Sequence, residues 1–270
     1  MAASGVQSIP LWLERRIPSD AACARARIAK SVLDALKLAF SADCSSVNAF
    51  VPHPDLQKEF ALRGSEQWAY GELTAVGCRQ MLDALLQPQL PPTAAERELF
   101  VEVGSGAGIV VVFAALIGVS SIGVELVPAR HAAAQVAVDR LARRSKSLPV
   151  KLICADALTI TTEYSHATRF FCNNAIWPDE LTSKVATHIA EHAPRLAAFA
   201  TVMPIPAEVV GTTGLALLRA TAVDVTWDRI GAPLHIYVPA GREEDLSDMD
   251  RFDECYEAAR EGCLGELSMF

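Results

Sequence analysis

No two cysteines in this chain stand in CxxC spacing, and their total is odd: seven, at positions 23, 44, 78, 154, 172, 255 and 263. That argues against a disulfide framework and against a zinc site built on cysteine. Ile153-Cys154 and Phe171-Cys172 lie in apolar runs, where Cys packs as a small hydrophobe. Reduced thiols, as in cytosol or nucleus, are the expectation. Positive charge is also in short supply, with 24 Lys+Arg against 32 Asp+Glu and a formal net charge of −8. This balance disfavours nonspecific attraction to nucleic-acid phosphates, yet leaves room for a local basic patch or a basic protein substrate. Repeats and low-complexity tracts are missing. No signal peptide is expected, because Glu14, Arg15 and Arg16 interrupt the N-terminus before a long apolar core forms. Charge is absent from the 22 residues between Glu102 and Glu125. Length alone would permit a membrane helix there. Five Gly and three Ser in that stretch, with three of the Gly inside residues 104–108, fit strand, turn, helix and strand better.

The composition, 51% hydrophobic and 21% charged, is globular. A chain of 270 residues suits one large α/β domain with an N-terminal extension. Ser19 and Asp20 are good helix-opening residues before Ala21–Phe40, where Ile28, Val32, Leu33, Leu36 and Phe40 recur at helical spacing. Residues 41–64 read as loop, and Leu73–Leu86 as a second helix ended by the proline cluster at 88–92. We place a boundary there: residues 1–92 form an N-terminal helical lobe with a lid loop, and residues 93–270 the main domain. Strands at Leu99–Val103, Ser121–Val124, Val150–Cys154, Arg169–Cys172 and Leu196–Val202 then alternate with helices at Gly108–Ile117, Pro128–Arg144 and Asp179–His192. Two further apolar segments, Ala216–Trp227 and Leu234–Val238, suit an antiparallel edge hairpin. The expected fold is α/β: a doubly wound, mostly parallel, seven-stranded Rossmann-like sheet. The acidic stretch 243–266 reads as a terminal helix or a mobile end.

The strongest chemical signal is Glu102-Val-Gly104-Ser105-Gly106-Ala-Gly108, which follows a strand and opens a helix. Glycines there let the backbone approach a ligand, and a helix N-terminus offers free N–H groups. The spacing departs from the dinucleotide pattern GxGxxG, since Ile109 fills the sixth position. A carboxylate two residues before the first Gly would repel a diphosphate but attract an ammonium. S-adenosylmethionine carries an ammonium and a sulfonium and no phosphate, and is therefore the expected cofactor. Glu125, 21 positions after Gly104 at the tip of the second strand, can accept from ribose hydroxyls. Asp156, at the tip of the third, can accept from an adenine amino group. One tip carboxylate is as readily a helix cap; three at successive tips on the carboxyl edge favour a ligand. Asn173-Asn174-Ala-Ile-Trp177-Pro178 follows the fourth strand, where an amide oxygen can orient a target amine, or where Asn simply makes a turn. Trp68-Ala-Tyr70-Gly71-Glu72-Leu-Thr74 reads as a lid over the cofactor, or as a staple and cap for the next helix.

Tyr70-Gly71-Glu72, the glycine loop, Gly123-Val-Glu125, Ala155-Asp156 and Asn173-Asn174, in that order, resemble the disruptor-of-telomeric-silencing family of histone methyltransferases. These are lysine methyltransferases without a SET domain. The resemblance runs from about Trp68 to about Tyr237. It implies a nuclear enzyme that uses S-adenosylmethionine to methylate a core-domain lysine of nucleosomal histone H3. It implies that Tyr70, Glu72, Glu102, Gly104, Ser105, Gly106, Gly108, Glu125, Asp156, Ala157 and Asn173 line the cofactor site. Asn173 and Tyr70 would sit at the reacting centre, and Trp177 and Trp227 along the substrate channel. The chain departs from the family at Glu102, usually Asp, and at Ala157, usually Phe; Ala175 and Ile176 stand where aromatics are usual. It also lacks a long basic tail.

Arg140, Arg143, Arg144 and Lys146 end a helix, where cations suit the dipole, and form either a solvated face or a contact for DNA or histones. His188-Ile-Ala-Glu191-His192 matches a zinc-peptidase signature, H-x-x-E-H, but falls where the fold needs an ordinary amphipathic helix, so no metal is expected. The rival readings are an amino-methyltransferase of nucleic acid or a small molecule, and a catalytically silent binding module on the same fold.

Overall fold

The computed structural model describes residues 16–40, 72–86, 98–144 and 148–241. Trp68, Tyr70, Gly71 and Lys146, the loop at 41–64, the 88–92 boundary and the 243–266 stretch lie outside the described residues. Among the described residues three helices precede the sheet: α1 (Asp20–Arg25), α2 (Lys30–Ala39) and α3 (Ala75–Leu85). The sequence pattern predicts one helix over Ala21–Phe40, but the chain breaks it at Arg27, which takes a positive φ of 57°. The break turns α2 so that Val32, Leu33, Leu36 and Ala39 are all buried. Likewise the second predicted helix begins two residues late, because residues 72–74 are extended rather than helical.

From Leu99 the alternation follows the expectation. β1 (Leu99–Val103), α4 (Ile109–Leu116), β2 (Ser120–Glu125), α5 (Pro128–Ala142), β3 (Val150–Cys154), β4 (Arg169–Cys172), α6 (Asp179–His192) and β5 (Ala198–Thr201) come in turn. A short helix α7 (Ala207–Thr213), absent from the sequence reading, precedes the edge pair β6 (Leu215–Val223) and β7 (Ala232–Pro239). The seven strands run in the order β3-β2-β1-β4-β5-β7-β6. The first five are mutually parallel, and β7 inserts antiparallel between β5 and β6. This is the doubly wound sheet the sequence implies. The strand order reverses between β1 and β4, and crevices for ligands open at the carboxyl ends of strands at such a point.

Two apolar layers sandwich the sheet. One joins α2, α3 and α4 with Phe100, Phe171, Ala198, Ala200, Leu234 and Ile236. The other joins Val101, Val103, Phe170, Cys172 and Phe199 with Val185, Ile189 and Tyr164. The described N-terminal helices thus pack directly on one face of the sheet. Two polar stitches fix the carboxyl edge. Leu73 bridges Val225; Thr74 N–H donates to the Asp224 carbonyl at 3.1 Å, and Thr226 N–H to the Glu72 carbonyl at 2.9 Å. Asn174, fully buried, receives the Met203 N–H at 2.8 Å and donates to the Met203 carbonyl at 3.1 Å. It ties the end of β4 to the end of β5.

Gly77, in the first turn of α3, is required by the first stitch. A Cβ there would sit 1.9 Å from the Asp224 carbonyl oxygen. Gly→Ala inside a helix ordinarily stabilises by up to about 1 kcal/mol. Here the sign reverses: Gly77→Ala is expected to destabilise by about 1–3 kcal/mol, as overpacked sites do. A melting temperature equal to or above that of the natural chain would contradict the close approach.

Candidate active site at the carboxyl edge of the sheet

The glycine loop caps β1 and opens α4. Gly104, Gly106 and Gly108 have φ of 75°, 54° and 85°, a region that favours glycine. A Cβ at Gly104 would also approach Trp177 Cζ2 to 3.2 Å, so the Trp177 ring lies against the first glycine. Gly104 and Ser105 N–H groups both donate to the Val124 carbonyl, at 2.8 and 3.0 Å, which pins the loop to the end of β2. Ser105 is buried beside Gly123, where a Cβ would come within 2.8 Å of the Ser105 hydroxyl.

Glu125 is drawn into the same loop. Its Oε2 accepts the Gly106 N–H at 2.7 Å, and its Oε1 the Val127 N–H at 2.8 Å. Each oxygen keeps a second lone-pair direction, so the carboxylate is held in place while still able to accept from hydroxyls. Asp156 is exposed and caps a short 3₁₀ turn (Ala157–Thr159), its Oδ1 accepting the Leu158 N–H at 2.9 Å. Ala157, in that turn, packs partly buried against the second apolar layer.

Glu102, like Glu125, is 4% exposed, but it stands in mid-sheet register with Gly123 on one side and Phe171 on the other. Its Oε2 has no hydrogen-bond partner. Burial pushes its carboxyl well above the ordinary range, neighbouring Glu72 and then Glu125 add to the rise, and a hydrogen bond from the Val111 backbone opposes it. Glu72, 6% exposed, forms a buried ion pair with Arg16, itself 5% exposed. Its backbone N–H donates to Thr226 Oγ1 at 3.0 Å. Buried Cys78, on α3, feels Glu102, Glu72 and Arg16 together; desolvation and the two carboxylates push its thiol up.

The structure therefore gathers Glu72, Glu102, Glu125 and the glycine loop. It brings Trp177 onto Gly104. Asn173 follows β4, half-buried, with its amide oxygen shielded from solvent. Trp227 follows directly on Thr226 in the first stitch and packs partly buried against the core layer of α2, α3 and α4. Arg143 and Arg144 stand exposed just beyond α5, with half-buried Arg140 in its last turn. The His188 and His192 rings lie side by side, centroids 4.2 Å apart, with His188 Nε2 2.9 Å from the Ile160 carbonyl and His192 Nδ1 3.0 Å from the His188 carbonyl. Sequence reasoning missed Arg16 and the structural role of Asn174. No local motif announces an Arg that pairs with a residue 56 positions away. Chemically, the arrangement offers a buried carboxyl with an open oxygen, a fixed carboxylate acceptor and a tight backbone bend. It suits a cationic ligand without phosphate.

A carboxyl with a raised folded pKa holds its proton more tightly folded than unfolded. The stability Glu102 contributes is therefore complete below about pH 4.5 and is lost as pH rises through the raised folded value. Glu102→Gln, which mimics the protonated form, is expected to melt above the natural chain at pH 8 by a few degrees, on the order of 2–4 °C per kcal/mol for a domain of this size. The two should converge near pH 4. Thermal unfolding at both pH values checks this, and a Gln variant less stable at pH 8 would contradict it.

No protein-family model and no curated protein matches the chain. Among solved structures it is similar to magnesium protoporphyrin IX methyltransferase from Synechocystis PCC 6803 with bound S-adenosylmethionine, at 14% identity and a TM-score of 0.49, over 73% of this chain and 97% of that one. It is also similar to TrmN from Thermus thermophilus, at 18% identity and a TM-score of 0.45, over 67% and 52% of the two chains. A third is an RNA methyltransferase from Salinibacter ruber in complex with S-adenosyl-L-homocysteine, at 16% identity and a TM-score of 0.43, over 61% and 90%. At these identities the likeness concerns the fold.

Proposed function

We propose that this chain is an S-adenosylmethionine-dependent amino-methyltransferase. The carrying observation is the buried, unpartnered Oε2 of Glu102 beside a glycine bend and the fixed Glu125 carboxylate. The sheet order, with the reversed strand β7 between β5 and the edge strand β6, is that of class I methyltransferases. The residues fit the cofactor. Glu102 suits its ammonium, Glu125 its ribose hydroxyls, the 104–108 bend its close approach, and Asp156 its adenine amine. When bound, S-adenosylmethionine supplies a methyl group activated by the sulfonium.

This chain's own part is to bind, orient and desolvate. Asn173 holds the acceptor amine by its amide oxygen, and positioning supplies most of the acceleration. An amine held in a dry setting favours its neutral, nucleophilic form. Trp177, lying against Gly104, offers a flat aromatic wall at the mouth of the site. That wall favours a planar amine, such as a nucleobase or a heteroaromatic small molecule, which stacks on it. The second reading is a lysine of nucleosomal histone H3 in the nucleus, with Arg140, Arg143, Arg144 and Lys146 touching DNA. It rests on the resemblance of Tyr70-Gly71-Glu72 and Asn173-Asn174 to the disruptor-of-telomeric-silencing family, with Trp227 as channel wall.

Radiolabelled S-adenosylmethionine incubated with RNA, DNA, heteroaromatic amines, free histones and nucleosomes tests both acceptors. Label is expected in a planar amine; label confined to histone H3 would favour the second reading, and the silent-module alternative predicts no label at all. Asn173→Ala should lower kcat by about 100-fold or more, the usual yield of lost positioning, while leaving cofactor affinity intact. Glu125→Ala should weaken cofactor affinity by about tenfold or more, as losing charged hydrogen bonds to the ribose would. Equal cofactor affinity in Glu125→Ala by calorimetry would remove the ribose assignment.

A further inference from the structure

We propose, resting on the amino-methyltransferase reading above, that the acceptor is a small heteroaromatic amine without phosphate, taken as a free molecule rather than within a nucleic acid, and that Ile176 and Met203 are the specificity-determining residues that receive its ring. Met203 is 46% exposed and Ile176 36%. One exposed apolar side chain needs no explanation. These two stand on adjoining loops, after β5 and β4, and both are tied to Asn174. The Trp177 N–H closes a turn on the Asn174 carbonyl at 3.0 Å, and Ile176 lies within that turn. The Met203 N–H donates to Asn174 Oδ1 at 2.8 Å, and its carbonyl accepts from Asn174 Nδ2 at 3.1 Å and from Thr201 Oγ1 at 2.7 Å. Two residues on, the Ile205 N–H donates to the Tyr237 hydroxyl at 2.8 Å. The Met203 backbone is thus fixed while its side chain stays outside the core, and a thioether is well suited to an aromatic ring. With Trp177 and Asn173 on the same β4 loop, the edge combines an apolar surface with the amide assigned to the amine.

Charge separates a free ring from the same ring in a nucleic acid. Residues 173–183 and 202–213, which surround Ile176 and Met203, contain no Lys or Arg. They carry exposed Asp179, Glu180 and Glu208, in the first turns of α6 and α7 where acids suit the helix ends. Lys184, the next cation along α6, pairs with Glu180 at 2.7 Å. Arg229, exposed between β6 and β7, directly follows Asp228. The basic cluster stands elsewhere. α5 leaves the carboxyl end of β2 and returns the chain to the amino end of β3, so Arg140, Arg143 and Arg144 lie at the opposite edge of the sheet. The 15 residues of α5 put about 20 Å between the two edges. Nucleic-acid binding draws chiefly on phosphate contacts from Lys and Arg. Here the clustered cations are across the sheet from the site, and a phosphate beside Met203 would meet acids.

The test is calorimetry on the full chain loaded with S-adenosylhomocysteine. The probes are 6-aminoquinoline, a planar amine uncharged at neutral pH, short single-stranded DNA and RNA of mixed sequence, and free histone H3. 6-Aminoquinoline is expected to bind, and neither nucleic acid nor histone to displace it. Met203→Ala and Ile176→Ala should each weaken it by about fivefold or more, the scale of lost apolar area and ring contact, and leave S-adenosylhomocysteine affinity unchanged. Both side chains are exposed, so the variants should keep the natural melting temperature. Three results would each overturn the inference alone: no binding of 6-aminoquinoline to the loaded chain, an affinity unmoved by both substitutions, or its displacement by nucleic acid or histone. A chain that takes up no S-adenosylhomocysteine overturns the cofactor reading with it.

Discussion

A carboxyl placed in the middle of a sheet, with one oxygen left without a hydrogen bond, is the constraint on which this molecule turns. Removing a carboxylate from water costs several kcal/mol unless hydrogen bonds or opposite charge offset it. Glu102 has one backbone hydrogen bond, two carboxylate neighbours and no cation of its own. The Arg16 charge is shared first with Glu72. A chain optimised for stability alone would place a Val at this position, as it does at Val101 and Val103 on either side. The cost is accepted next to the bend formed by residues 104–108, where Glu125 at the end of β2 is buried as well.

Long-range polar contacts fix the loops at the same edge. Glu72 and Thr226 are 154 positions apart, yet their backbones form a short antiparallel ladder through the Leu73–Val225 bridge. Asn174 reaches Met203, 29 positions on, with both ends of its amide. Neither contact belongs to the sheet proper. Each fixes a loop at the carboxyl edge, where rigid scaffolds hold functional segments. The first presents Glu72 and Trp227; the second fixes the turn that carries Asn173 and Trp177. Closing loops of such length carries an entropy cost that grows only slowly with their size. The remote contacts are therefore affordable, and they specify where the edge loops stand.

The same distinction explains what could be read in the sequence. The strands from Leu99 to Val202 announce themselves by continuous apolar runs, because parallel strands are covered on both faces. Pro128 and Pro178 mark helix starts locally. Glu102, Glu125 and the three glycines are legible because one short turn and one strand tip bring them together. Arg27 is not: its left-handed turn breaks a helix whose apolar spacing continues unbroken through it, so periodicity joins α1 to α2. Asn174 reads as half of a catalytic-looking pair, yet its side chain is a buried staple, since a double Asn carries no sign of which amide faces inward. Arg16 pairs across 56 positions and has no local pattern at all. Tertiary partners decide these three, and single-chain spacing holds no record of partners.

Glu125 and Glu102 together show how such an edge divides its labour. Glu125 is held by two backbone N–H groups and keeps its orientation with or without a ligand. It brings selectivity with little reorganisation, because the donors that hold it belong to the same loop a ligand would approach. Glu102 brings the opposite: a carboxyl whose charged form is penalised in the bare protein and relieved by a cation. A ligand with both a hydroxylated ring and an ammonium gains from each, while one with a phosphate gains from neither. Any such cation binds the folded state alone, so its binding energy adds to folding stability. Part of that gain is the relief of a penalty the bare fold already carries, which couples the selectivity of the site to the instability built into its central strand.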